Sequence, residues 1–518
     1  MTLSALLATA VQRDPDGVII VGGNQHYRYA DLARQASGLA ITLRDLGVRP
    51  CDRVAVYLEK SWEAVVAMFG TAIAGGTFVN INPLLKARQV QHILNNAEPR
   101  VVIADAAKLS NIQLGHETEL LHLGQRSELV PDARQHSLIA VLDRADGLAA
   151  HGVSRETDLA TILYTSGSTG QPKGIMCSHR NLTVGARIVS SYLENTAQDR
   201  VLSVLPFSFD YGLNQLLTMV HVGGTLVLQR SSLPGALLSS LRRERITGLA
   251  GVPPVWVLLL QARRALEAEP LSELRYITNS GGAVPLANVQ ALRDCLPATR
   301  IYLMYGLTEA FRSTYLPPDE LDRRPTSMGR AIPETEIWVL DDQNRPCTAG
   351  QVGELVHRGP TVSLGYWRNE EATRQAFRPN PFAPESGERV VYSGDLVRWD
   401  DEGFLQYVGR RDEQIKTEGY RVSPQEIEDL VLMLPEVKEA VAFGIPNERS
   451  GYKIAVALSL QAGASRTAED IVRHVRDCAP AYMVPAHVAI LPELPKGATG
   501  KLDRARVKAE ITAPVLVA

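Results

Sequence analysis

Between Tyr164 and Gly174 the chain reads Tyr-Thr-Ser-Gly-Ser-Thr-Gly-Gln-Pro-Lys-Gly. Glycines let a backbone approach a ligand closely, and successive N–H groups with Ser and Thr hydroxyls can wrap phosphate oxygens. Lys173 adds a cation for the same anion. This is not a Walker A loop, because Lys173 does not follow Gly170 directly and Pro172 interrupts a helix start. A lone Gly/Ser run reads as a surface loop; Thr165–Gly170 followed by Pro-Lys-Gly is far more specific. A second candidate is Asp210, in Pro206-Phe-Ser-Phe-Asp-Tyr-Gly-Leu-Asn214. Its carboxylate either caps the apolar helix pattern Tyr211–Val222 or is buried and needs a paired cation.

Such loops need elements to hold them. Short β-branched runs alternate with helical patterns: Arg53–Glu59 before a helix over Trp62–Gly76, then a helix around Ala87–Asn96 before Arg100–Ala104. Ala160–Thr165, Gly224–Gln229, Leu274–Ser280 and Arg300–Gly306 continue the series. Apolar strands between helices predict an α/β fold with largely parallel sheets. Over Glu334–Arg358 the segments shorten between Pro and Gly, which predicts a small β-rich, barrel-like subdomain. After Gly409 a compact α+β pattern begins. There Ser423-Pro-Gln-Glu426 predicts a capping box with Pro at the first helical position, a helix through Glu426–Leu434, and a strand over Glu439–Ile445. The expected organisation is a large N-terminal body of layered α/β subdomains over 1–409 and a small C-terminal cap over 410–518.

Composition agrees with a folded chain of several domains. At about 150 residues per domain, 518 residues allow three or four domains or subdomains, and 45% hydrophobic with 21% charged residues excludes disordered, collagen-like and disulfide-scaffold classes. Lys plus Arg total 54 against 57 Asp plus Glu, a net charge of −3 that leaves no electrostatic footprint for nucleic acid. Cys51, Cys177, Cys295, Cys347 and Cys478 form no Cys-x-x-Cys pair, which argues against a zinc ribbon and for a reducing compartment. The N-terminus lacks the basic stretch of a secretory signal, and the most apolar window, Trp62–Gly76, is too short to span a bilayer. A cytoplasmic protein with no membrane span is expected.

The Tyr164–Gly174 segment resembles the phosphate loop of the adenylate-forming superfamily of acyl-CoA synthetases, luciferases and peptide-synthetase adenylation domains. The rest of that pattern follows in order. Tyr305-Gly306-Leu-Thr-Glu-Ala310 is similar to its aromatic-Gly-x-Thr-Glu motif, and Ser393-Gly-Asp395-Leu to its ribose-binding turn. Gly409-Arg-Arg-Asp-Glu-Gln-Ile-Lys416 with Gly419-Tyr-Arg-Val resembles its hinge and first cap-domain loop, and Pro495–Lys501 its C-terminal lysine loop. The resemblance implies an enzyme that joins a carboxylic acid to ATP as an acyl-adenylate and then passes the acyl group to a thiol.

Positive charge must then stand between a carboxylate and a polyanion, a role the resemblance gives to Lys501. It implies that Thr165, Ser166, Gly167, Ser168, Thr169 and Lys173 hold phosphates, with Gly281, Gly282 and Gly306 shaping the nucleotide site. Tyr305 would stack on adenine, Thr308 would touch the α-phosphate, and Glu309 would hold Mg²⁺, a hard cation suited to carboxylate oxygen. Asp395, an acceptor-only carboxylate, would take both ribose hydroxyls, with Arg410 reaching the same ribose. Asp412 aligns with the hinge, and Lys416, Gly419 and Tyr420 with a pantetheine tunnel.

For the acid, Asp210, Tyr211 and Asn214, with Gly281 and Arg312, fall where the family lines its pocket. An Asp at position 210 implies an amino acid whose ammonium it holds, such as proline. Arg312 meets a polar or acidic substrate group or pairs with an internal carboxylate. Leu307, where peptide-synthetase domains usually have Pro, and the Lys-Gly-Ala-Thr-Gly-Lys501 loop keep an acyl-CoA synthetase as the alternative. Intact Lys501, Glu309 and Asp395 argue against a silent binding homologue. The chain ends 17 residues after Lys501, which leads to the expectation that a phosphopantetheine carrier is a separate protein.

Overall fold

A computed structural model describes residues 1–512, except residues 86, 110–111, 127–130, 132–133, 144–151, 167–171, 232, 412–414, 418–419, 448–450, 480 and 498–499. The chain divides into two units, Met1–Ile337 with His357–Val391, and Trp338–Val356 with Tyr392–Ala518.

The first unit holds two large sheets. One runs in the order Arg330–Ala331, Thr314–Leu316, Arg300–Tyr305, Tyr276–Asn279, Gly248–Gly251, Arg200–Ser203, Thr225–Leu228, Val18–Gly22, Gln25–Arg28. Its interior pairs are parallel and only its edges antiparallel. The other runs Gly365–Tyr366, Pro172–Ser178, Leu159–Ser166, Thr77–Asn80, Arg53–Tyr57, Val101–Asp105, Glu119–Leu123, Gln135–Ser137. The expected strands are all present, with ends shifted by a few residues. Thr225–Leu228 and Tyr276–Asn279 are buried at every position, so they show no alternation of apolar and polar residues. The helix Trp62–Ala74 is buried on nearly every side. Ser61 Oγ accepts from the Ala64 N–H at its start, and Gly75 ends it in the left-handed region, φ 90°. That placement explains the most apolar window of the sequence. Among the described residues no helix is long and apolar enough to cross a membrane.

In the second unit, Leu405–Arg410 pairs antiparallel with Arg389–Trp399 and sets Asp395 opposite Arg410. A further sheet runs Tyr420–Val422, Ile415–Thr417, Gly451–Leu460, Val437–Asn447, with His487–Ile490 beside Gly451–Leu460. The helices Pro424–Leu432 and Ala468–Cys478 bury Ile427, Val431, Ile471 and Val475 with Ile454, Val456 and Leu458 of this sheet. Ser423 is the N-cap and Pro424 the first helical residue, as expected. Its hydroxyl accepts from the Gln425 N–H at 3.2 Å and donates to the Val408 carbonyl, so Glu426 is not its partner as a capping box would require.

Candidate active site

The glycine- and hydroxyl-rich segment joins two antiparallel strands, with Thr165 paired to Lys173 and Ser166 to Pro172 at the end of the ladder. Gly167, Ser168 and Thr169 lie outside the described residues. Lys173 Nζ stands 5.7 Å from the ring centroid of Tyr366. The Tyr366 hydroxyl donates to Glu309 Oε1 at 2.6 Å. Tyr366 is fixed because Gly365–Tyr366 pairs with Ile175 and Met176, and the Trp367 N–H donates to the Gly174 carbonyl at 2.7 Å. One tyrosine thus ties the lysine after the loop to the carboxylate of the Thr-Glu motif. Sequence reading missed it, because its only signal is an aromatic residue within Gly365-Tyr-Trp367.

After the strand Arg300–Tyr305 the chain folds into a tight turn. The Ala310 N–H donates to the Leu307 carbonyl at 3.0 Å and the Arg312 N–H to the Ala310 carbonyl at 2.6 Å. Phe311 takes φ 55°, unusual for a non-glycine. Its fully buried ring packs on Gly185, where an added Cβ would lie 2.6 Å from it. The Ser363 N–H donates to the Glu309 carbonyl at 2.8 Å. Tyr305 stacks with His357, centroids 6.2 Å apart and planes at 17°. His357 is fully buried, and burial pushes its imidazole down to about 3.

The turn delivers Arg312 beside Asp210. Arg312 Nη1 donates to Asp210 Oδ2 at 3.1 Å, and the two side chains are 3% and 5% exposed. Phe209 holds the N-cap of the helix Asp210–Val222 and Asp210 its first position, so the capping alternative does not hold. The alternative of an internal carboxylate for Arg312 does. Tyr211 spends its hydroxyl on Thr278, donating to the carbonyl at 2.8 Å, and lays its ring 4.7 Å from the guanidinium. It therefore supports the pocket rather than offering a donor. Asn214, one turn past Asp210, is buried, and its Nδ2 has no hydrogen-bond partner among the described residues.

Two further side chains hold the segment ahead of Asp210. Lys60 Nζ donates to the carbonyls of Ser203 and, at 3.3 Å, Leu205, and burial pushes its amine down to about 7. Asn80 Nδ2 donates to the Phe207 carbonyl at 3.1 Å. The Gly281–Gly282 bend follows the strand Tyr276–Asn279. Asn279 bridges it to the helix Pro253–Gln261, donating to the Gly282 carbonyl at 2.8 Å and accepting from Trp256 Nε1 at 2.7 Å.

In the second unit Asp395 is buried, and Arg410 Nη1 donates to its Oδ1 at 3.0 Å and to the Ser393 carbonyl at 3.0 Å. Gly394 takes φ 71°, and an added Cβ would lie 3.1 Å from Arg410 Nη2, so the turn needs glycine. Lys501 is exposed. Gly500 sits at φ 77° and the Gly497 N–H donates to the Lys501 carbonyl at 2.8 Å. Arg504, at the start of the next helix, makes a two-pronged ion pair with buried Glu428 at 2.6 and 2.5 Å. Desolvation raises the Glu428 carboxyl, and the Arg504 pairing works against that. Asp412 and Gly419 lie outside the described residues. Lys416 pairs through its backbone with Arg421, and Thr417 with Tyr420.

Among the described residues no three His, Cys, Asp or Glu side chains gather as a metal cluster. The Glu309 carboxylate offers hard oxygen donors of the kind that suit Mg²⁺. A separate cleft of about 610 Å³, lined by Arg187, Glu334, Arg358 and Glu388 among others, contains none of these residues; in it Arg187 pairs with Glu334 and Arg358 with Glu388.

The family model for AMP-binding enzymes matches residues 7–367, and that for the AMP-binding enzyme C-terminal domain matches residues 426–501. The chain is 31% identical over 507 residues to tyrocidine synthase 3 of Brevibacillus parabrevis, covering 97% of this chain and 8% of that protein. It is 33% identical to the phosphinothricin tripeptide synthetase PhsC of Streptomyces viridochromogenes, covering 97% of this chain and 44% of that one. The chain thus spans a small part of the first and less than half of the second. Among solved structures it is similar to ATP-bound MatB from Rhodopseudomonas palustris, with 26% identity, TM-score 0.87 and 99% of each chain covered. The o-succinylbenzoate CoA synthetase MenE of Bacillus subtilis shares the fold, with TM-score 0.83 at 24% identity over 97% of each chain.

Proposed function

The chain belongs to the AMP-binding enzyme family and is an ATP-dependent, AMP-forming ligase of the adenylate-forming superfamily; from that premise we propose that it activates a small amino acid and loads it onto the phosphopantetheine thiol of a separate carrier protein. In the first step an oxygen of the substrate carboxylate attacks the α-phosphorus of ATP, and the bond to pyrophosphate breaks. Pyrophosphate leaves, possessing the electron pair of that bond. In the second the thiol, losing its proton, attacks the acyl carbon and AMP departs. Thr165, Lys173 and Thr308 are assigned to the phosphates, Glu309 to Mg²⁺, Tyr305 to adenine, and Asp395 with Arg410 to the ribose. Lys501 is assigned the charge bridging carboxylate and α-phosphate, and the working division is a body of residues 1–409 with a cap of 410–518. Proline is among the acids to be tried first, and the cytoplasm is the proposed compartment.

The observation that carries the amino-acid reading is the Asp210 carboxylate, buried at the first position of the helix Asp210–Val222 and not used as its cap. A second reading has its own observation. Arg312 already supplies the cation that a buried Asp210 needs, which favours an acid without an amino group and CoA as acceptor. ATP–pyrophosphate exchange separates them. Exchange with an amino acid that falls at least about 100-fold in Asp210→Asn supports the first reading. Exchange only with acids lacking an amino group, little changed by Asp210→Asn, overturns it.

A further inference from the structure

We propose that the acid this pocket selects is an acidic α-amino acid, its ammonium on Asp210 and its side-chain carboxylate on Arg312. The inference rests on the amino-acid reading above and narrows it. A guanidinium carries five N–H donors in a rigid fork. Arg312 is 2% exposed, and its Nη1 serves both Asp210 Oδ2, at 3.1 Å, and the Phe311 carbonyl, at 2.9 Å. Its Nε and Nη2 have no hydrogen-bond partner among the described residues. These two atoms form one edge of the fork, the geometry that receives a carboxylate with two parallel hydrogen bonds. The plane is held by the ring of Tyr211 at 4.7 Å, whose own hydroxyl is committed to Thr278. Asn214 Nδ2, one helical turn past Asp210, is a further buried donor without a partner among the described residues.

Charge counting separates the substrate classes. Asp210 and Arg312 cancel one another. A fatty or aryl acid brings no charge beyond its reacting carboxylate and leaves the Arg312 edge unused. A neutral amino acid such as proline adds an ammonium to a balanced pair, leaving one positive charge in excess in a buried place, where an unmatched charge is costly. An acidic amino acid adds an ammonium and a carboxylate, opposite in sense to Asp210 and Arg312. The four charges close with no excess, and the fork is filled.

The test is ATP–pyrophosphate exchange by the full chain with aspartate, glutamate and 2-aminoadipate, their amides asparagine and glutamine, proline, the deaminated acids succinate and glutarate, and fatty and aryl acids. The expected result is one acidic amino acid preferred at least about 100-fold in kcat/KM over its amide or, for 2-aminoadipate, over neutral norleucine. Arg312→Gln then lowers that preference to under about 10-fold, while Arg312→Lys, keeping the charge but not the fork, falls between. Preference for proline or another neutral amino acid overturns this inference and leaves the amino-acid reading standing. Preference for a deaminated dicarboxylic acid, or for a fatty or aryl acid, overturns both. The wild-type panel decides these outcomes even if Arg312→Gln does not fold.

Discussion

Tyr366 donates its hydroxyl to Glu309 Oε1 at 2.6 Å while its ring lies 5.7 Å from Lys173 Nζ. The residues assigned to the phosphates and to the metal are therefore oriented by one side chain, itself fixed by backbone pairing to the strand that follows the phosphate loop. Replacing Tyr366 by Phe keeps the ring under Lys173 and removes only the bond to the carboxylate. A hydrogen bond to a charged group contributes roughly 1.5–3 kcal/mol. Tyr366→Phe is expected to slow exchange about 10-fold and to raise the Mg²⁺ concentration for half-maximal rate. A Mg²⁺ titration of pyrophosphate exchange checks it, and an unchanged half-saturation point would remove Tyr366 from the site.

Lys501 is exposed, and its carbonyl accepts from the Gly497 N–H; surface substitutions usually change stability by no more than about 0.5 kcal/mol. Lys501→Ala should therefore leave the thermal midpoint within about 2 °C of wild type. Adenylation should fall by at least about 10²–10³, the size of effect seen when one hydrogen-bond donor aimed at a transition state is removed. A midpoint scan beside single-turnover adenylate formation measures both, and a large loss of stability would make the lysine structural.

Breaking a buried ion pair leaves an uncompensated charge, which costs about 3–5 kcal/mol. Arg312→Gln and Asp210→Asn are each expected to lower stability by that order. The double variant should cost clearly less than the two together, because neither charge is left alone. Urea unfolding of the four proteins gives the coupling, and additive effects would mean that the pair is not felt in the fold.

His357 sets a pH dependence whose sign follows from its burial. Its pKa falls from 6.5 to about 3 in the folded chain, so the native state holds neutral imidazole and the unfolded chain binds the proton first. Stability is full above pH 6.5 and is lost as pH falls toward 3. The loss attributable to His357 is about 2 kcal/mol by pH 5. His357→Phe should keep the stacking on Tyr305 and remove that much of the acid sensitivity between pH 7 and pH 5. Parallel urea curves at the two pH values check it, with equal slopes for both proteins as the contrary result.

What the sequence made legible was whatever is local. The Tyr-Gly-Leu-Thr-Glu turn and the Ser-Gly-Asp turn carry their conformation in consecutive residues, and the strands are largely apolar because both faces are covered. Contacts across the chain were not legible. Tyr366 and Glu309 are 57 positions apart and Asp210 and Arg312 are 102 apart, so no window contains both partners. Asp210 shows the difference well. Its position ahead of an apolar helix announced burial or capping, but nothing near it announced that the balancing cation comes from a turn after another strand. Lys60, Trp256, Asn279 and Glu428 escaped notice for the same reason, since each acts by reaching a backbone or side chain distant in sequence.

The turn in which Phe311 adopts φ 55° has a consequence for how this protein can change over time. Arg312, assigned above to the acid, hangs from the same few peptide units as Thr308 and Glu309. A substitution that alters acid preference by moving this turn also moves the groups assigned to phosphate and metal, so new preferences acquired there are expected to carry a penalty in rate. Asn214 stands outside those peptide units, on the buried helix Asp210–Val222, which meets the turn through the side chains of Asp210 and Tyr211 against Arg312. Lineages or laboratory libraries that vary position 214 are thus expected to reach altered preferences with turnover preserved, while those confined to position 312 trade one against the other.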